Sequence, residues 1–175
     1  MAALIVEDGT AKPDADSYIS AADAAAYHIS RGNENAWDAI EDPDAALRKA
    51  TDYMVQTYRA RWKGYRKDGA QALDWPRTFV YLEPFVHGVV GTYPFLVSDT
   101  IVPEEVKRAC AEYALVAAST PLAPNLERGI VRERVGPLET EFDRTSPEYT
   151  RYRAMDMALS PYLMGGGANV QLVRS

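Results

Sequence analysis

The chain reads as a mainly α-helical protein: a small helical bundle with one β-hairpin at about residues 131–142, a long irregular loop at about residues 71–102 and an extended C-terminal tail. Three observations predict this. Two long segments repeat apolar residues at helical spacing behind strong helix-start signals. One short segment alternates apolar and charged residues on either side of Gly136-Pro137. Three consecutive glycines, Gly165, Gly166 and Gly167, then uncouple the last eight residues from what precedes them. The expected organisation is one helical domain over residues 1–164 and a flexible docking tail over residues 165–175.

Taken in order, Leu4-Ile5-Val6 is a short apolar run closed by Glu7-Asp8-Gly9, a short strand or an extended arm. Residues 12–16 form a polar loop. Ser20-Ala21-Ala22-Asp23 has the form of a capping box, so a helix follows to about Arg31 and stops at Gly32. Residues 35–40 allow one further turn, with Trp37 facing inward. Asp42-Pro43-Asp44 supplies a capping carboxylate, a proline at the first helical position and more acid in the first turn. That helix runs to about Arg61, with Leu47, Ala50, Met54 and Tyr58 along one stripe. Residues 62–69 are basic and broken by glycine. Residues 71–102 hold aromatics, prolines and glycines without a helical period, which predicts a long loop with short extended pieces; loops of that length are often functional.

Pro103-Glu104-Glu105 opens the next helix, with both acids at the favourable end of its dipole. Val106, Ala109, Cys110, Tyr113, Ala114 and Ala117 mark its buried face, and it ends near Ser119. A turn at Gly136-Pro137 pairs Val135 with Leu138, Arg134 with Glu139, Glu133 with Thr140, Arg132 with Glu141 and Val131 with Phe142. One face then carries Val131, Val135, Leu138 and Phe142. The other sets two arginines against two glutamates, each pair contributing about 0.2–1 kcal/mol. A last helix is expected from near Ser146-Pro147 to about Met164, kinked at Pro161 or ending there in a separate turn.

The net charge of −6 argues against a general affinity for duplex nucleic acid, which depends on cationic contacts to phosphate. The single cysteine, Cys110, permits no internal disulfide; its place in a helical pattern reads as a small buried apolar residue in a protein made under reducing conditions. No stretch is apolar and long enough to span a bilayer, and residues 1–8 lack the form of a signal peptide. His28 and His87 stand without metal-ligand spacing and read as packing or surface residues. Asp8, Asp14, Asp16 and Asp23 do not match a calcium loop, and turn and cap roles account for them. The glycine run has no lysine after it, and no serine sits in a nucleophile elbow. The expectation is a non-enzymatic protein with no catalytic, cofactor-binding or metal-binding residues.

Two segments invite a partner. The tail residues Val170, Gln171, Leu172, Val173 and Arg174 alternate enough to add to another chain as a strand, though a short helix or an extended arm would serve equally. Arg59, Arg61, Trp62, Lys63 and Arg66, with Tyr58, Tyr65 and Lys67 among them, have the composition of a single-strand-binding surface. The competing reading makes Tyr58 and Trp62 core and the cations a solvated helix end.

Several of these segments together resemble a family of tailed-phage and prophage proteins. They are Ala3-Leu4-Ile5-Val6-Glu7-Asp8-Gly9-Thr10, Asp14-Ala15-Asp16-Ser17-Tyr18, Arg61-Trp62-Lys63-Gly64, Gln71-Ala72-Leu73-Asp74-Trp75-Pro76-Arg77, Pro103-Glu104-Glu105-Val106-Lys107-Arg108-Ala109 and Glu133-Arg134-Val135-Gly136-Pro137-Leu138. Many members carry the label DnaT-like single-stranded-DNA-binding protein. The layout of helices, hairpin and tail also resembles the head–tail connector adaptors of tailed phages. That second resemblance implies a virion neck protein, synthesised in the host cytoplasm. It implies a homo-oligomeric ring, normally of twelve copies, that binds the portal through its C-terminal segment. The ring would join the portal to a stopper or tail-completion protein and let DNA pass through its channel without specific binding. The hairpin residues Arg132, Arg134, Glu139 and Glu141 would then line a subunit contact or face the next ring. The alternative is a single-stranded-DNA-binding replication accessory acting through the patch around Arg61 and Trp62.

Overall fold

The computed structural model describes residues 3–82, 95–124, 130–134, 139–142, 150 and 152–164, with the strands inside 130–142 described as backbone. Its helices are α1 (Ala21–Ile29), α2 (Glu34–Asp38), α3 (Pro43–Tyr58), α4 (Glu104–Ser119) and α5 (Arg153–Leu159), followed by a 3-10 turn, Ser160–Tyr162. Strands β1 (Tyr65–Arg66) and β2 (Arg77–Thr78) pair antiparallel, as do β3 (Ile130–Arg134) and β4 (Glu139–Phe142). The mainly helical architecture with one longer hairpin is the one the sequence predicts; the two-residue ladder β1–β2 is additional.

The helix starts follow their capping residues. Ser20 Oγ accepts from Asp23 N at 3.0 Å and donates to Asp23 Oδ2 at 2.7 Å. Asp42 Oδ1 accepts from Ala45 N at 2.9 Å, with Pro43 in the first turn. α3 stops at Tyr58, three residues short of the expected end. At the start of the chain a lone parallel bridge, Val6 to Ser17, stands where a short strand or arm was expected.

α3 and α4 form the centre of the bundle. The predicted stripe of α3 (Leu47, Ala50, Met54, Tyr58) and that of α4 are fully buried. Alanine at 46, 50, 109, 111, 114 and 117 keeps the facing surfaces low and lets the two helices approach closely. Cys110 Sγ lies 3.4 Å from Thr51 Oγ1 and 3.9 Å from Ser17 Oγ, joining both helices to the N-terminal segment. α1 attaches through buried His28, whose Nε2 lies 3.1 Å from the Ala111 carbonyl and so carries the proton; its ring stacks on Trp37.

The C-terminal elements dock through tyrosine hydroxyls. Tyr58 Oη donates to Asp156 Oδ1 at 2.7 Å. Having one proton, it must then accept from Tyr113 Oη, 2.6 Å away. Burial raises the pKa of both phenols, so both remain neutral. Tyr162 Oη donates to Glu105 Oε2 at 2.6 Å, and Tyr152 Oη to the Leu122 carbonyl at 3.0 Å. Pro161 opens the final turn as a separate 3-10 element, while the helix before it begins at Arg153, later than the expected Ser146-Pro147. Residues 146–149 lie outside the described residues.

The first third of the long loop is core. Gln71, Leu73, Asp74, Trp75, Arg77 and Val80 are buried, and the Trp75–Pro76 peptide is cis. Buried irregular backbone has to be satisfied by side chains. Arg77 donates from Nε to Lys63 O at 2.8 Å, from Nη1 to Asp74 O at 3.1 Å and from Nη2 to Gly64 O at 2.8 Å. Gln71 Nε2 serves Leu73 O and Pro76 O, and its Oε1 accepts from Asp68 N. Gly64, at φ +65°, lets β1 lie so close to β2 that a Cβ there would overlap Thr78 O. Trp75 is held edge-on between Trp62 and Tyr162.

In the hairpin, Arg132–Glu141, Glu133–Thr140 and Arg134–Glu139 pair as expected. The outermost pair differs: Phe142 lies opposite Ile130, and Val131 is the extra residue of a bulge. The sequence offered Val131 because strict alternation continues to it; a bulge breaks that alternation without a composition signal. The expected pair Val135–Leu138 and the tail 165–175 lie outside the described residues.

Arg77→Met should destabilise the fold by about 3 kcal/mol or more, because it leaves buried carbonyls without donors. Arg77→Lys should recover only part of the loss, since a point ammonium cannot reach three acceptors; urea unfolding of both variants checks this. Burial raises the thiol pKa of Cys110 and encloses it. It should therefore resist a water-soluble disulfide reagent at pH 8 in the folded protein and react within seconds once unfolded, as absorbance of the released thiolate would report.

Candidate functional site

The basic segment that follows α3 is built around its own loops. Arg59 Nε donates to the buried Asp74 Oδ1 at 2.9 Å. Lys63 Nζ donates to Pro161 O at 2.7 Å and Tyr81 O at 3.1 Å. Arg66 Nη1 reaches Gln71 O at 3.1 Å, and Lys67 Nζ reaches Gly9 O at 3.3 Å. The Arg61 guanidinium lies over the Tyr58 ring, 5.5 Å from its centroid. Carbonyl acceptors hold Lys63, Arg66 and Lys67, and among the described residues Arg59 is the one of these five that meets a carboxylate.

Trp62 does not join the surface. It is 1% exposed, packed between Tyr58 and Trp75, and unable to stack on a ligand. The competing sequence reading, with Tyr58 and Trp62 in the core, is the one the structure takes, and Arg59, Arg61, Lys63 and Arg66 lie at the rim. Other aromatics take the outer position. Tyr65 is 72% exposed, Phe79 63% and Phe95 66%.

These three belong to one small ribbon. Tyr65 pairs with Thr78, next to Phe79, whose φ of 58° turns the chain. Tyr81 then bridges Leu96, Leu82 N donates to Phe95 O at 3.0 Å, and Val97 N donates to Val80 O at 2.9 Å. Residues 77–78 thus pair with residues 65–66, and residues 80–82 with residues 95–97. Val80 and Val97 face the core, while Phe79, Tyr81, Phe95 and Leu96 are exposed. The sequence held no signal for this division, because the loop lacks a period that separates inner from outer aromatics. Residues 83–94, including His87, lie outside the described residues.

The last described residues, 162–164, lie beside this ribbon. Leu163 forms an antiparallel bridge to Trp62, Lys63 N donates to Tyr162 O at 2.9 Å, and Met164 N donates to Arg61 O at 2.7 Å. The tail residues Val170 to Arg174 themselves lie outside the described residues.

At the other end of α3 lies a shallow groove of about 610 Å³, formed by the α2–α3 connection and the end of α4. Ala36, Ile40, Leu115 and Ala118 give it an apolar floor, with Glu41 and Asp42 on its wall and Lys49 at its edge. Residues 34–44 contain Glu34, Asp38, Glu41, Asp42 and Asp44 and no lysine or arginine.

The N-terminal aspartates have structural work. Asp8 accepts from Thr10 N and Oγ1 and pairs with Lys12 at 2.9 Å; the Thr10 hydroxyl, then Lys12, hold its pKa down to about 2. Asp16 pairs with Arg48, and Asp23 completes the cap of α1. The buried carboxylate of this segment is Glu7, which accepts from Gly9 N, Ala11 N and Lys12 N at 2.8–2.9 Å and so shapes the loop. Among the described residues no three His, Cys, Asp or Glu converge on a metal position, and no helix is long and apolar enough to cross a membrane.

Neither curated proteins nor solved structures match the chain. One family model does, over residues 2–175, nearly the whole length. Its description reads "Putative DnaT-like ssDNA binding protein", the label carried by many of the proteins that the opening, Arg61-Trp62-Lys63-Gly64 and Asp74-Trp75-Pro76-Arg77 segments resemble. The chain therefore belongs to the DnaT-like family.

Proposed function

We propose that this protein is a structural adaptor of a tailed-phage neck, forming a ring that joins the portal to the stopper or tail and surrounds the DNA channel. The observation that carries the reading is the exposed ribbon of Tyr65, Phe79, Tyr81, Phe95 and Leu96 beside residues 162–164. Large apolar side chains clustered at a surface mark a contact with another macromolecule. Leu96 at 57% exposure, with Ile101, Met157 and Met164 also exposed, offers little to a nucleotide base but suits a protein interface. The likeness to head–tail adaptors supplies the ring and the portal. In that setting the role is non-enzymatic. Residues Val170, Gln171, Leu172, Val173 and Arg174 form the portal-docking arm, and the opposed charges of Arg132, Arg134, Glu139 and Glu141 serve a subunit or next-ring contact. An acidic protein around the channel repels DNA and lets it slide.

A second reading has its own observation. The same ribbon carries exposed Tyr65 next to Arg66 and Lys67, an arrangement that suits unpaired bases and phosphates, and the family's description names single-stranded DNA.

Removing residues 165–175 should leave a folded protein, with Tm changed by about 2 °C or less, because Met164 already closes the bridge to residue 61. The truncated protein should lose about 100-fold or more in affinity for the portal of the same phage; normal portal binding would end the docking role of the tail. Fluorescence anisotropy of a labelled oligonucleotide at about 50 mM salt should stay flat. Salt-sensitive binding that Tyr65→Ala weakens about 5-fold or more would favour the single-strand reading instead.

A further inference from the structure

We infer that copies of this chain join head to tail, the basic aromatic ribbon of one seated on the apolar groove of the next and on the acidic segment 34–44 beside it. This rests on the assembly reading above and names its subunit contact. Residues 59–67 contain Arg59, Arg61, Lys63, Arg66 and Lys67 and no acid; residues 34–44 contain five acids and no base. The two segments flank α3, whose 16 residues separate them by about 24 Å. One copy therefore cannot bring its own two faces together, whereas a second copy meets either face with the opposite charge.

The dipole of α3 favours acid at its start and base at its end, which accounts for Asp44 and Arg59 in or beside its terminal turns. Glu34, Asp38 and Glu41 at one end, and Arg66 and Lys67 at the other, lie beyond its reach. Each face also pairs charge with apolar surface. Ile40 and Leu115 floor the groove, and Tyr65, Phe79 and Phe95 stand out from the ribbon. Charge steers the encounter and sets its polarity, and burial of the rings and aliphatic chains supplies affinity. Each copy carries one ribbon and one groove, and joined head to tail the contact is heterologous: repeated, it closes into a ring or runs on as a filament.

The test uses the full-length chain in analytical ultracentrifugation at concentrations up to about 1 mM. The wild type should self-associate, and less so as salt rises. A variant of the acidic segment beside the groove, Asp38→Lys with Glu41→Lys, and a ribbon variant, Tyr65→Ser with Phe95→Ser, should each sediment as monomers. All four side chains are outside the core, and circular dichroism verifies folding; Ala118→Arg provides a second, single-site block of the groove. Mixed one to one, the two double variants should form a heterodimer and stop there, since one keeps its ribbon and the other its groove. Wild-type association that both variants retain would overturn this contact and leave the ring reading standing. A monomeric wild type that still binds portal would do the same. Failure of the wild type both to associate and to bind portal would overturn both. Oligonucleotide binding at the ribbon without self-association would assign that face to nucleic acid and overturn the contact.

Discussion

The guanidinium of Arg77 is the constraint on which the lower half of the molecule depends. Residues 71–77 are mostly buried without belonging to a helix or an extended sheet, so their main-chain groups cannot satisfy one another in a ladder. Arg77 answers with one fork on three carbonyls, two of them in residues 63–64 and one at Asp74. That ties the end of α3 to the loop that covers it. Trp75 is thereby held against Trp62 and Tyr162, and Asp74 is presented to Arg59 and Tyr18. The ribbon outside inherits its position from this buried arrangement, because Gly64 and Thr78 are neighbours of the same carbonyls.

A division of labour among aromatic residues follows. Tyr58, Tyr113, Tyr152 and Tyr162 bury their rings and use their hydroxyls to attach α5 and the final turn to α3 and α4. Trp62 and Trp75 fill the space below. Tyr65, Phe79 and Phe95 are left outside, where they add nothing to the core and remain available to a partner. The basic residues divide similarly: Arg77 is structural, whereas Arg66 and Lys67 leave their charge at the surface next to exposed Tyr65.

Much of this was legible in the sequence wherever the signal is local. Ser20, Asp42 and Pro103 announce helix starts through short-range chemistry, and the stripe from Leu47 to Tyr58 repeats at a period that only a helix uses. The hairpin register was legible from Arg132, Arg134, Glu139 and Glu141, because opposed charges and a turn specify it together. What was not legible depends on contacts far apart in the chain. The core position of Trp62 was one of two readings the sequence offered, and the structure takes it; the exposure of Tyr65, three residues on and chemically alike, was not separated from it. Only the packing of Trp75 and Tyr162, distant in sequence, decides between them. The bulge at Val131 and the burial of Leu73, Trp75 and Arg77 belong to the same class.

The closing bridge has a mechanical consequence. Tyr162, Leu163 and Met164 run antiparallel to Arg61, Trp62 and Lys63, so their hydrogen bonds lie across the chain direction. A pull along the chain beyond Met164 loads these bonds together in shear instead of opening them one by one. Trp62 stands on the opposite strand of the bridge, and through it tension would reach Trp75 and the bundle instead of unravelling α5 from its end.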